Sequence, residues 1–137
     1  MRAHRVFAGP LALGAAVALL TSCAPTPQEN VSQACAAAGA YAAALTNFKD
    51  TLTPSATVEQ VQTARDQVTK TYDEMIKQSQ DVAKDRADAV KTAQQNLESA
   101  VKDVPNDATL KQAANSLRDD TVKLQAAASD LRSQLKC

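Results

Sequence analysis

Proline and glycine are nearly absent after residue 27, and this constrains the fold more than any other feature of the chain. Beyond Pro27 the only residues of these two types are Pro54, Pro105 and Gly39. Because proline and glycine interrupt helices, and Ala, Gln and Lys fill the intervals, the chain is expected to be helical. Alternating β-type runs and hairpin turn signals are missing. The sequence predicts an all-α fold, divided into three segments at Pro54 and Pro105.

The apolar residues of each segment recur with the helical period of 3.6. We expect helices at about 29–52, 57–103 and 107–136. Thr26 with Glu29, and Thr57 with Gln60, have the spacing of capping boxes, with Asn30 a competing start for the first helix. Asn106 and Asp107 would open the third helix, whose leucines recur every seven residues as in a coiled-coil seam: Leu110, Leu117, Leu124 and Leu131.

Helix lengths suggest how these segments pack. At 1.5 Å per residue, Cys35 lies roughly 27 Å from the turn at Pro54, and Cys137 returns to roughly 24 Å from it. The expected architecture is a three-helix antiparallel bundle or coiled coil, with a long central helix and a disulfide between Cys35 and Cys137. The alternative breaks the central helix in its polar middle, residues 77–88, and gives a compact four-helix bundle. The absence of glycine and proline there favours the continuous helix.

The first 23 residues predict export. A basic start is followed by an apolar run over residues 6–20, which is too short for a spanning helix of about 20 residues. The next residues complete the sequence Leu20-Thr21-Ser22-Cys23, which resembles the lipobox of bacterial lipoproteins. That resemblance implies cleavage of a signal peptide at 1–22, lipid attachment at Cys23 through acyl chains such as palmitate, and a place on the extracytoplasmic face of the cell membrane.

The predicted mature protein has a lipidated tether at 23–28 and one helical domain at 29–137. Loss of Arg2 and Arg5 from 15 basic residues, against 15 acidic ones, leaves a charge of about −2. This balance gives no electrostatic reason to bind nucleic acid or anionic lipid heads. The expected partners are the membrane, through the lipid, and an envelope protein. A homodimer is also plausible, because a thin helical rod leaves apolar surface.

Catalytic motifs are missing from the sequence. The only histidine, His4, falls in the predicted signal peptide, and no phosphate-binding or nucleophile-elbow motif occurs. We therefore expect no enzyme activity, no cofactor and no metal. Asp81, Asp85 and Asp88 share a helix face that could hold a cation, although a solvated face is the simpler interpretation. Three aromatic residues could line a pocket but are more readily explained as core: Tyr41, Phe48 and Tyr72.

Seven glutamines suggest a polar surface that could interact with a partner: Gln62, Gln67, Gln78, Gln80, Gln94, Gln95 and Gln125. Together these features predict a non-enzymatic, membrane-anchored lipoprotein that presents a helical surface to another protein. A small-ligand-binding or sensory helical bundle is the alternative. The sequence does not identify the partner.

Overall fold

The computed structural model describes residues 26–104 and 110–137 of the chain. These residues form four helices, α1 (Pro27–Thr51), α2 (Val58–Ser79), α3 (Lys84–Lys102) and α4 (Leu110–Leu135), and contain no strand. The all-α prediction is confirmed, but the prediction of three helices is wrong. The predicted helix starts at Asn106 and Asp107 lie outside the described residues, as do the predicted signal peptide and Cys23.

Two predicted capping boxes fix where α1 and α2 begin. The Thr26 hydroxyl accepts from the Glu29 backbone N–H, and the Glu29 carboxylate accepts from the Thr26 N–H at 2.7 Å. The hydrogen bond from the Thr26 N–H, together with one from the Thr26 hydroxyl to the same carboxylate, lowers the pKa of Glu29. Thr57 and Gln60 repeat the reciprocal pair at the start of α2. Each box satisfies backbone donors that the first helical turn leaves without a partner. Helix α1 thus begins inside the segment predicted as a tether.

The predicted central helix is broken at residues 80–83, within the polar stretch where the alternative placed a break. The backbone N–H groups of Val82 and Ala83 both donate to the carbonyl of Ser79, and Ala83 leaves helical geometry with φ −149° and ψ 55°. Ala83 is buried, so its small side chain fits the corner where two helices meet. The break needs no proline or glycine because folding back lets the apolar stripes of α2 and α3 share one core.

The four helices pack as an up-down-up-down bundle. Helix α1 packs along α2 and α4, and α3 packs along α4, whereas α2 and α3 contact each other sparsely. The first and last helices therefore lie side by side. This differs from the predicted three-helix bundle, in which one long central helix spans residues 57–103.

Buried aliphatic and aromatic side chains from all four helices form one core. The four leucines spaced by seven, Leu110, Leu117, Leu124 and Leu131, are all buried along α4. Tyr41 and Phe48 of α1 are fully buried, with Met75 of α2 and Val90 of α3. Val122 is the large apolar side chain that is most clearly exposed within the described ranges, at 54%. Among these residues few large apolar side chains are exposed, and the homodimer stays a prediction.

A disulfide joins Cys35 of α1 to Cys137, the last residue after α4, as predicted. Their Cα atoms are 5.6 Å apart and 102 positions apart in sequence. The C-terminus turns towards α1 through a Schellman motif, in which Lys136 has φ 58°. The Cys137 N–H donates to the Arg132 carbonyl, and the Lys136 N–H to the Ser133 carbonyl. A non-glycine residue in this left-handed conformation is uncommon, and it brings Cys137 back over the end of α4.

Candidate interaction surface

Of the three aromatic residues that could have lined a ligand pocket, Tyr41 and Phe48 are core residues, and Tyr72 is half-buried against that core. Tyr41 has no exposed surface, and its hydroxyl donates a 2.8 Å hydrogen bond to Oε1 of Gln94 on α3. Its ring lies 6.0 Å from the ring of Tyr72, centroid to centroid, at 56°. This tilted arrangement is a favourable aromatic pair. The burial of Tyr41 and Phe48 therefore supports the interpretation of these two residues as core.

The hydrogen bond from Tyr41 belongs to a short polar chain between α1 and α3. The side-chain amide of Gln94 donates onward to Glu98 at 3.1 Å. Burial raises the pKa of Tyr41, with smaller contributions from Tyr72 and Glu98. Burial also raises the pKa of Tyr72, and the negative charges of Asp73, Glu98 and Asp88 raise it by smaller amounts. Both tyrosines thus stay neutral over the physiological range.

Gln94 was grouped with the surface glutamines from the sequence, but it is 1% exposed. It lies on the buried stripe of α3 at spacings of four and three from Val90 and Leu97. This spacing was visible in the sequence and could have identified Gln94 as a core residue. A second buried polar residue, Ser79, has a hydroxyl without a hydrogen-bond partner among the described residues.

The acidic residues considered as a cation site are exposed. Lys84 forms a 2.7 Å ion pair with Asp88, which lowers the pKa of Asp88 and raises that of Lys84. Asp120 likewise pairs with Lys123 at 3.1 Å. Within residues 26–104 and 110–137, no group of three or more potential ligand side chains is placed to hold a metal ion. Asp85 and Asp88 are exposed on α3, whereas Asp81 lies in the break before that helix, so the expectation that all three share one helix face is wrong.

An open groove of about 780 Å³ lies at the end of the bundle where α1 finishes and α2 starts. Ala56 and Ala64 supply half-buried apolar surface, and Asp50 and Glu59 supply the charges. The remaining lining residues are uncharged and polar: Asn47, Thr51, Thr53, Ser55, Gln60, Thr63 and Gln67. Composition alone did not reveal this groove, since its residues come from two helices and the intervening loop.

This groove and the start of α1 occupy opposite ends of the molecule. Helix α1 has 25 residues and so extends about 36 Å from Pro27 to Thr51. The disulfide and the corner at residues 80–83 lie towards the Pro27 end, because α2 and α4 run antiparallel to α1. The groove is therefore as far from the predicted tether as the bundle allows.

Among the helices that the structure describes, none combines the length and apolar character required to cross a membrane. Comparison of the chain with protein-family models, curated proteins and solved structures finds no match.

Proposed function

We propose that this protein is a non-enzymatic lipoprotein of the cell envelope. A lipid on Cys23 anchors it to the extracytoplasmic face of the membrane, and its helical bundle presents a surface to a partner protein. The lipobox-like sequence supports the anchor. The observation that carries the presenting role is the placement of two features at opposite ends of the bundle. Helix α1 starts four residues after Cys23 at one end, and the open groove lies at the other.

The distances fit this role. The segment from Cys23 to Pro27 spans roughly 12 Å when extended, at about 3.1 Å per residue. Helix α1 then carries the groove about 36 Å further. An anchored bundle standing on its tether would hold the groove away from the lipid headgroups. The disulfide ties Cys137 to α1 near the end that would be anchored, away from the groove.

The packing of the core also favours a surface role. The hydroxyl of Tyr41 is engaged by Gln94, and Phe48 has no exposed surface, so these aromatic side chains are not open to a ligand. A small-ligand or sensory function would have to use the open groove instead. Its volume falls within the range of ligand sites, about 300–1,000 Å³, but such sites usually enclose most of the ligand. Presentation to a protein is therefore the function that we prefer.

Photocrosslinking in cells tests this proposal. One variant of the full chain would carry a photoreactive residue at Thr63 in the groove. A second variant would carry it at the exposed Asn96 on α3, and the two would be compared. We expect one envelope protein to be captured reproducibly from the membrane fraction, and the capture to be lost with Cys23→Ser, which removes the anchor. Recovery of self-links alone, or of no link from either position, would contradict the proposed function.

A further inference from the structure

The groove between α1 and α2 continues along the seam of these two helices. A second recess of about 250 Å³ shares Gln67 with it and extends past Thr71 towards Ala37 and Ala40. The α1 side of this seam is free of charge, since residues 31–48 contain no Asp, Glu, Lys or Arg. The combined depression is elongated, which suits a segment of polypeptide better than a compact molecule.

The wider part of the depression has one sign of charge. Asp50 and Glu59 are its charged lining residues, and neither forms an ion pair or a side-chain hydrogen bond among the described residues. The C-terminal end of α1 and the N-terminal end of α2 meet here with opposite partial charges, which offset each other. The charges that the groove itself presents to an occupant are therefore these two carboxylates, while Lys49 and Arg118 share a neighbouring depression with Asp50.

We propose that this groove binds a basic segment of the partner protein. Two Lys or Arg side chains of that segment would place their cationic groups against Asp50 and Glu59. Their aliphatic stems would lie on Ala56 and Ala64, as long basic side chains commonly do on apolar surface. This inference rests on the proposed function and adds the chemical character of the partner.

Charge complementarity selects this occupant over a second copy of the chain. The chain carries basic and acidic residues in equal number, and some of its lysines are paired with acidic residues, as Lys84 is with Asp88 and Lys123 with Asp120. A copy would therefore bring its own carboxylates to the groove. Exposed ion pairs are individually weak, so the expected interaction is dependent on salt and on both carboxylates.

A peptide titration tests the charge requirement. Tetralysine would be added to the isotope-labelled lipidated chain in neutral detergent, and amide chemical shifts would be followed by nuclear magnetic resonance. We expect perturbations concentrated in residues 47–67, and none with tetraglutamate. The variant Asp50→Asn/Glu59→Gln should weaken binding by roughly five- to twentyfold, because it removes two exposed ion pairs whose contributions to affinity multiply. The matched variant Asp81→Asn/Asp85→Asn removes the same charge at the other end and should bind like the parent.

Perturbations spread over all acidic surfaces, absent altogether, or unchanged by Asp50→Asn/Glu59→Gln would overturn the inference. Crosslinking in cells separates this result from a failure of the proposed function. Capture from Thr63 that persists in Asp50→Asn/Glu59→Gln would refute the role of groove charge while leaving the presenting function intact. Loss of capture in this variant, but not in Asp81→Asn/Asp85→Asn, is the expected outcome.

Discussion

The Tyr41 hydroxyl and the Gln94 side-chain oxygen lie 2.8 Å apart in the core, and this hydrogen bond connects α1 to α3 across the bundle. The two residues are 53 positions apart and belong to different helical hairpins. A buried polar pair tolerates few alternative partners, so it favours one arrangement of the hairpins over others.

Replacing both members of this pair should cost less than the sum of the two single replacements. Tyr41→Phe leaves the Gln94 oxygen buried without a donor, and we expect the free energy of unfolding to fall by about 1–3 kcal/mol. The double variant Tyr41→Phe/Gln94→Leu removes both polar groups and should be less destabilised than the sum of the single variants. Urea unfolding of all four proteins gives the coupling energy. Simple additivity would argue against a hydrogen-bonded pair.

Alkaline pH should destabilise the protein through Tyr41. Its pKa is raised by burial in the folded state, whereas the unfolded residue titrates near pH 10. The stabilisation is complete below pH 10 and declines as pH rises towards the folded pKa, by up to about 1.4 kcal/mol per pH unit. Unfolding curves between pH 8 and 11, in ~0.5-unit steps, would measure this slope. Tyr41→Phe should reduce the slope, and an identical slope in both proteins would exclude Tyr41 as its source.

Gly39 should be replaceable by alanine with a gain in stability. A Cβ atom at this position would have no neighbour within 4 Å, and the residue lies inside α1. Alanine is favoured over glycine within a helix by about 0.5–1 kcal/mol. Thermal unfolding should therefore show a higher melting temperature for Gly39→Ala. Ala40→Gly, the reverse change at the exposed neighbour, should lower the melting temperature. If both variants shift the melting temperature in the same direction, the helix-propensity explanation is refuted.

Loss of the disulfide should produce the largest effect on stability. A bond closing a loop of about 100 residues contributes up to about 4.7 kcal/mol in the chain-entropy model. Cys137→Ser should lower the melting temperature clearly and leave lipidation at Cys23 unaffected. Cys35→Ser/Cys137→Ser is the control for the free thiol that the single variant leaves, and it should melt at the same temperature as the single variant. An unchanged melting temperature in both would show that the bond adds nothing to the fold.

The sequence predicted the parts of this fold that depend on local chemistry. The capping boxes at Thr26 and Thr57, the leucine stripe of α4 and the pairing of Cys35 with Cys137 are confirmed. The break at residues 80–83 was the weaker alternative because no residue there interrupts a helix by itself. It arises from tertiary packing, since two half-length helices bury their stripes together while one continuous helix cannot. The same packing determines the groove, which forms only when α1 and α2 lie side by side across the loop between them.

The N-terminus of the purified protein tests the central claim, membrane anchoring through lipid, most directly. Intact-mass and peptide mass spectrometry of the protein from the membrane fraction would identify its first residue and any modification. We predict that residues 1–22 are absent, that Cys23 is the first residue and carries acyl chains, and that Cys35 and Cys137 remain linked. An unmodified Cys23, or a mature N-terminus at another position, would contradict the account.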